Sequence, residues 1–313
     1  MKKLAFLFPG QGSQSVGMLD GFATNSAAQD VIARANRALG FDIGALIAQG
    51  PAEELNKTVN TQPAMLTASM AAFAAWQAAT DVKPVVMAGH SLGEYSALCA
   101  AGAMSLREAV RCVRFRAQAM QRAVPMGVGG MAAIIGLADE QVEAACVAGR
   151  AHGLVQAVNF NSPGQVVIAG ENAALDAAIE HAKTLGCRRA MRLPVSAPFH
   201  SRLLKPAAEK LATYLARMRI LRPTIPVYAN VDANYHGSPD QIRAKLALQA
   251  ASAVQWVKTI EAMQAQGITH AVECGPGKVL AGLVRRIAPS IQVLNVFDQA
   301  SLRATIRQWN QAE

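Results

Sequence analysis

No apolar run in this sequence approaches the roughly 18 residues that a membrane-spanning helix needs, so no helical span is expected. The opening "MKKLAFLFPGQG" pairs two lysines with an apolar run, as a signal peptide does, but Pro9 and Gly10 break that run after five residues. This is below the minimum for the apolar region of such a signal. Leu4 to Phe8 therefore reads as a buried first strand, and a cytoplasmic location is expected. Cysteine is sparse too: Cys99, Cys112, Cys146, Cys187 and Cys274 are odd in number, scattered, and form no C-x-x-C pair. With no histidine cluster at zinc spacing, they read as buried free thiols in a reducing compartment. Aromatics make up only 5% of the chain and its basic residues are dispersed, so nothing resembles a nucleic-acid platform. The net charge of +9 instead favours acidic partners by long-range attraction. Internal repeats and low-complexity segments are absent, and no heptad pattern calls for an oligomer, so a monomer is expected.

What the chain does have is apolar bulk, with 52% hydrophobic and 16% charged residues over 313 positions, enough for a large buried core. Its middle carries the clearest local pattern. "MAAIIG" reads as a strand, "ADEQVEAACVAG" as a helix, "LVQAVNF" and "QVVIAG" as strands joined by the turn "NSPG", "ENAALDAAIEHAKTLG" as a second helix and "CRRAMRLPV" as a last strand. That order, β-α-β-β-α-β, is ferredoxin-like. The flanks alternate the strands "LAFLF", "PVVMAG", "IPVYAN", "HAVECG" and "IQVLNVF" with long Ala-rich helices, which implies a mostly parallel sheet covered on both faces. The expected fold is α/β: a large α/β-hydrolase-like domain from 1–124 and 197–313, interrupted by a small ferredoxin-like domain at 125–196.

"AGHSLGEYSALC" places Ser91 in G-x-S-x-G, the spacing of a nucleophile elbow. A serine hydroxyl is a poor nucleophile unless a base lies within hydrogen-bond reach and donors await the oxyanion formed at a carbonyl. His90 should point away from its neighbour. His152, His181, His236 and His270 have surface readings. His200 in "LPVSAPFHSRLL" lies at the seam between the two domains, where sites form, and is taken as the base. Leu92, next to the nucleophile, would supply one backbone donor, and the glycine-rich turn "FPGQGSQ" the second. No acid completes a triad; Asp139, Glu171 and Asp176 stand at helix starts and are read as capping. The histidine is then oriented by another group, such as a backbone carbonyl.

The helix "LREAVRCVRFRAQAMQRAV" has an apolar stripe of Leu106, Val110, Val113, Ala117, Met120 and Val124. Arg107, Arg111 and Arg122 fall on the opposite side. Arg114 and Arg116 flank the stripe about equally, so periodicity does not choose which reaches the interior.

With "FPGQGSQ", "GHSLGEYSAL", "RFRAQAMQ", "NFNSPGQVVIAG", "PVSAPFHSRLL" and "VECGPGKVL" in this order and spacing, the chain resembles the malonyl-CoA:acyl carrier protein transacylases over nearly its whole length. The resemblance implies that Ser91 becomes malonylated, that His200 takes its proton, and that the backbone amides of Gln11 and Leu92 form the oxyanion hole. It implies that Arg116 pairs with the malonyl carboxylate and that the main-chain carbonyl of Gln249 orients the histidine. Ala253 stands where the family usually has proline before "VQW". Phe199, beside the base, goes with a choice of malonyl over substituted malonyl groups in related acyltransferases. The implied partners are malonyl-CoA and an acidic, phosphopantetheinylated acyl carrier protein, with no cofactor, metal, nucleic acid or membrane. Arginine suits such a substrate because its planar fork matches a carboxylate. The competing readings are a serine esterase, a freestanding acyltransferase of a polyketide or malonate decarboxylase pathway, and an idle carrier-binding module.

Overall fold

The structure, a computed structural model, describes residues 2–195 and 197–311. The domain boundary expected at 196 and the chain end at 313 lie outside the described residues. Its strands are β1 (Leu4–Phe8), β2 (Val86–Gly89), β3 (Gly129–Ile135), β4 (Val155–Ser162), β5 (Gln165–Glu171), β6 (Arg189–Arg192), β7 (His270–Cys274) and β8 (Gln292–Val296). They form two sheets of four.

The first sheet runs β2-β1-β7-β8, and all of its pairings are parallel. Side chains alternate across it with the period of an extended chain. Leu4, Phe6 and Phe8 enter one apolar cluster with Met87, Val272, Cys274, Leu294 and Val296. Ala5 and Leu7 enter another with Val86, Ala88, Ala271 and Val293. Helices Ser26–Leu39, Thr58–Ala79, Gly93–Ala100 and Leu106–Ala123 contribute to the first cluster, and Trp256–Ala265 and Val279–Ile287 to the second. Burial on both faces explains why these strands read as short continuous apolar runs. The stretch "IPVYAN" was expected as a further strand; it makes isolated bridges instead, Met87 to Val227 and Tyr228 to Tyr235. Pro226 has no N–H to extend a ladder, and after Ala229 the chain turns back on itself, Ala229 N–H donating to Asn234 O.

The second sheet runs β4-β5-β3-β6 and is antiparallel throughout. With helices Asp139–Gly149 and Asn172–Thr184 inserted in chain order, this is the expected β-α-β-β-α-β unit. Ala132 and Ile134 face those two helices. Met131 and Ala133 face the other way, into a cluster with Met120, Val124, Phe199 and Leu204. The small sheet therefore lies over the seam between the helix Leu106–Ala123 and the segment that follows residue 197. A backbone splice fixes it there: Val254 N–H donates to Val158 O at 2.8 Å and Phe160 N–H to Val254 O at 3.1 Å.

All five cysteines are free. Burial pushes the thiols of Cys99, Cys112 and Cys146 up to about 12, which keeps them unreactive as thiols. Among the described residues no helix is long and apolar enough to cross a membrane.

Candidate active site

β2 ends at Gly89, and the chain turns through His90, Ser91 and Leu92 into the helix Gly93–Ala100. Ser91 takes a left-handed φ of 53°, a strained conformation for a residue with a side chain and one that lifts the hydroxyl out of the turn. The flanking glycines are required by space. A Cβ on Gly89 would lie 1.9 Å from the Gly93 carbonyl carbon, and one on Gly93 would lie 2.0 Å from Phe8 O. Asn230 fastens the turn from outside: its Oδ1 accepts the Ser91 N–H at 2.7 Å, and its Nδ2 donates to Gly89 O at 2.7 Å.

His200 comes from the opposite wall, also at a left-handed φ, 64°. Its Nε2 is 2.7 Å from Ser91 Oγ, and its Nδ1 is 2.9 Å from the main-chain carbonyl of Gln249. A carbonyl only accepts, so Nδ1 carries the proton and Nε2 is left as acceptor for the serine hydroxyl. Burial, and after it the charge of Arg116, pushes the His200 imidazole down to about 3. At neutral pH the ring is uncharged and free to take a proton.

The tie between the two arginines is resolved by burial. The stripe of the helix Leu106–Ala123 packs inward, and Arg116 goes in with it at 1% exposure. Its Nη1 donates to Gln62 Oε1 at 2.8 Å, and its Nη2 to Gln249 Oε1 at 2.9 Å and to Ser91 Oγ at 3.1 Å. Among the described residues its Nε has no partner. Arg114 instead donates to Leu39 O and lies over the Phe41 ring, while Arg107, Arg111 and Arg122 stay exposed.

Gln11 follows a turn pressed against the elbow, since a Cβ on Gly10 would come within 2.6 Å of His90 O. The Gln11 side chain donates to Thr58 Oγ1 and accepts from Gln62 Nε2, both at 3.2 Å. Leu92 is fully buried at the start of the helix Gly93–Ala100. Phe199, 7% exposed, packs in the cluster beneath the small sheet. Ser91, His200, Arg116 and Gln249 are thus in direct contact, with Leu92 and Phe199 adjoining them in sequence and Gln11 one residue from the Gly10 contact. His90 points away, as expected, its Nε2 2.8 Å from Asn161 Oδ1 of β4.

Two sequence expectations need correction. His236, read as a surface residue, is 4% exposed, with Nε2 2.9 Å from Glu94 Oε1. The turn before it folds back, so that His236 N–H reaches Val227 O and the ring goes under the elbow. Of the three acids read as helix caps, Asp139 lies in the first turn of its helix and Glu171 at the N-cap of the next, but the Glu171 side chain makes no cap bond. The Glu171 carboxylate accepts the Leu154 N–H at 2.6 Å, and Asp176 pairs with Arg192 at 2.6 Å. Sequence reasoning also passed over Gln62, Glu94 and Asn230, all buried polar residues beneath the site. Gln62 carried one signal, as an amide in the helix Thr58–Ala79, which is buried around most of its circumference.

A half-buried serine that meets a buried imidazole and a buried guanidinium at a strand-to-helix turn defines an acyl-transfer site, and the sequence agrees: the chain belongs to the acyl transferase domain family, whose model matches residues 5–310. The malonyl CoA-acyl carrier protein transacylase of Escherichia coli (strain K12) is 50% identical over 307 residues, covering 98% of this chain and 99% of the relative. The crystal structure of the acyl-carrier-protein S-malonyltransferase from Burkholderia pseudomallei 1710b has 55% identity and a TM-score of 0.96, over 97% of this chain and 99% of that one. A malonyl-transacylase solved in complex with a type II PKS acyl-carrier protein has 45% identity and a TM-score of 0.96, over 98% of this chain and 100% of that one.

Proposed function

We propose that this protein moves a malonyl group from malonyl-CoA to the phosphopantetheine thiol of an acyl carrier protein, through an ester on Ser91. The observation that carries the reading is one contact set. Ser91 Oγ lies within hydrogen-bonding distance of an uncharged imidazole and of a buried guanidinium. The first activates the hydroxyl; the second has no use in hydrolysing neutral esters.

Ser91 Oγ attacks the thioester carbonyl carbon while its proton passes to His200 Nε2. The backbone N–H groups of Leu92 and Gln11 hold the oxyanion of the tetrahedral intermediate. Its collapse breaks the C–S bond, and the CoA sulfur leaves with the proton returned by His200. The carrier thiol then repeats the sequence in reverse on the serine ester, and no cofactor enters. Throughout, the malonyl carboxylate sits on Arg116. Its unpartnered Nε supports this, because a buried donor left unsatisfied costs about 1–3 kcal/mol, and a carboxylate bound across Nε and Nη2 removes that cost while forming a bidentate pair. Phe199 closes the space beside the base and disfavours substituted malonyl groups. The carrier is acidic and is drawn to a protein of charge +9, which acts in the cytoplasm as a monomer.

Intact-protein mass spectrometry after brief incubation with malonyl-CoA tests the proposal. A malonyl adduct that requires Ser91 and disappears onto added phosphopantetheinylated carrier is the expected result. An adduct that water removes as fast as the carrier does would replace the transferase with a hydrolase.

A further inference from the structure

Beneath the site lies a fully buried carboxylate to which the reaction as described gives no role. Glu94, in the first turn of the helix after the elbow, is 0% exposed. Its Oε2 accepts the Asn230 N–H at 3.0 Å and the Gln249 Nε2 at 2.8 Å, and its Oε1 faces His236 Nε2 at 2.9 Å. Both oxygens face N–H donors, the pattern of an ionised carboxylate. His236 does not neutralise it. Its Nδ1 is buried with no partner among the described residues, and a protonated ring would bury an unpaired N–H of a cation there.

A buried negative charge needs a positive one, and the nearest along the hydrogen bonds is Arg116. The two never touch. Gln249 stands between them, its Nε2 on Glu94 and its Oε1 on Arg116 Nη2. The geometry points to Glu94 as the counter-ion of Arg116 held one amide away, a specificity-determining residue that balances the guanidinium while leaving the side of its fork that carries the partnerless Nε to the substrate carboxylate. A direct ion pair would occupy that fork and compete with malonyl. With no counter-ion, the cation would be desolvated in the empty site; burial already works against the Arg116 charge, and Tyr95 and Glu94 work for it. The same field repels an incoming malonate, so the residue trades malonyl affinity for stability of the empty enzyme.

This inference rests on the malonyl reading above, and its test separates the two. Glu94→Gln keeps shape and removes charge; the new amide donates to His236 Nε2 once the ring proton moves to the partnerless Nδ1, which buries an unsatisfied N–H and adds to the loss of stability. In single-turnover acylation of Ser91, the malonyl-over-acetyl preference of Glu94→Gln is expected to rise roughly tenfold, the size of a unit-charge interaction at about 12 Å and an effective dielectric near 20. The gain should lie in KM for malonyl-CoA rather than in kcat. Labelling by an uncharged fluorophosphonate, which needs Ser91 and His200 only, should be unchanged, and the melting temperature should fall. An unchanged or reduced malonyl preference would overturn the inference. So would an equal loss with malonyl-CoA, acetyl-CoA and fluorophosphonate, which marks a merely structural residue. If Glu94→Gln does not fold, combining it with Arg116→Met must restore folding, since the cation that lacked its counter-charge is gone; failure there also refutes it. If the parent protein takes no malonyl group at all, the functional reading falls first.

Discussion

The two sheets place side chains differently, and the site shows the consequence. The parallel sheet is buried on both faces, so its polar chemistry stands at strand ends, on turns that only glycine permits. Ser91 follows β2 on a turn whose flanking glycines have backbone within 2.0 Å of any added Cβ, and Gln11 follows β1. The antiparallel sheet is closed on one face by its own helices and lies with its other face over Phe199 and the helix that carries Arg116. One region builds the site with backbone geometry, the other covers it with apolar surface. Changes in the first should therefore alter reactivity at nearly constant stability, and changes on the far face of the second should do the reverse.

The hardest break of that contrast is Ser91→Ala. It removes the nucleophile and keeps the Cβ and with it the same left-handed backbone, so acylation should fall by about 10⁴ or more while stability holds; a malonyl adduct of parental yield by mass spectrometry would refute the elbow. Next is Arg116→Met, which keeps length and burial. Loss of one partner of a buried carboxylate pair is worth about 3–5 kcal/mol, or roughly 10² to 10³ in acylation by malonyl-CoA. Acetyl transfer should change less than tenfold, by about one small interaction. Equal losses for both donors would remove Arg116 from carboxylate recognition.

How far the sequence reaches follows the same division. The elbow is legible because its constraint is local: two glycines and a serine within five positions. The ferredoxin-like order is legible because helix and strand periods alternate cleanly there. Arg116 could not be separated from Arg114 by periodicity, because the groups that receive its guanidinium, Gln62 and Gln249, lie 54 and 133 residues away in sequence. His236 was misread for the same reason. Its glycine neighbour announces a turn, but only tertiary packing tells that the turn folds back to meet Glu94.

A smaller effect is expected from pH. The His200 imidazole is held at about 3 in the folded protein, whereas in the unfolded chain it titrates near its ordinary value of about 6.5. Between those values the unfolded state binds the extra proton, so stability is intact above 6.5 and is lost as pH falls. At pH 5 the loss from this group is about 2 kcal/mol. Denaturant melts of the parent and of His200→Gln at pH 7 and pH 5 should show the parent losing about that much more; burial lowers His90 as well, and the variant subtracts that shared part. The acylation rate should not decline between pH 7.5 and 5.5 through loss of the base. A rate that titrates near 6.5 would place the imidazole in water.

The smallest effect sharpens the contrast most. Ile134 is the last residue but one of β3, opposite Val166 and Ala190, and points into the cluster under the small sheet's own helices, away from the seam. Ile134→Val deletes one methyl group there, which costs about 0.5–1.5 kcal/mol through lost transfer energy and an unfilled void. Because the opposite face of the strand, with Met131 and Ala133, still presents the same surface to Phe199 and the base-bearing segment, the folded variant should acylate Ser91 at the parental rate. Comparison of its chemical melt with its single-turnover rate decides the matter. A rate that falls along with stability would mean that the small sheet does more than cover the site, and that a core change on its far face reaches His200 through the strand.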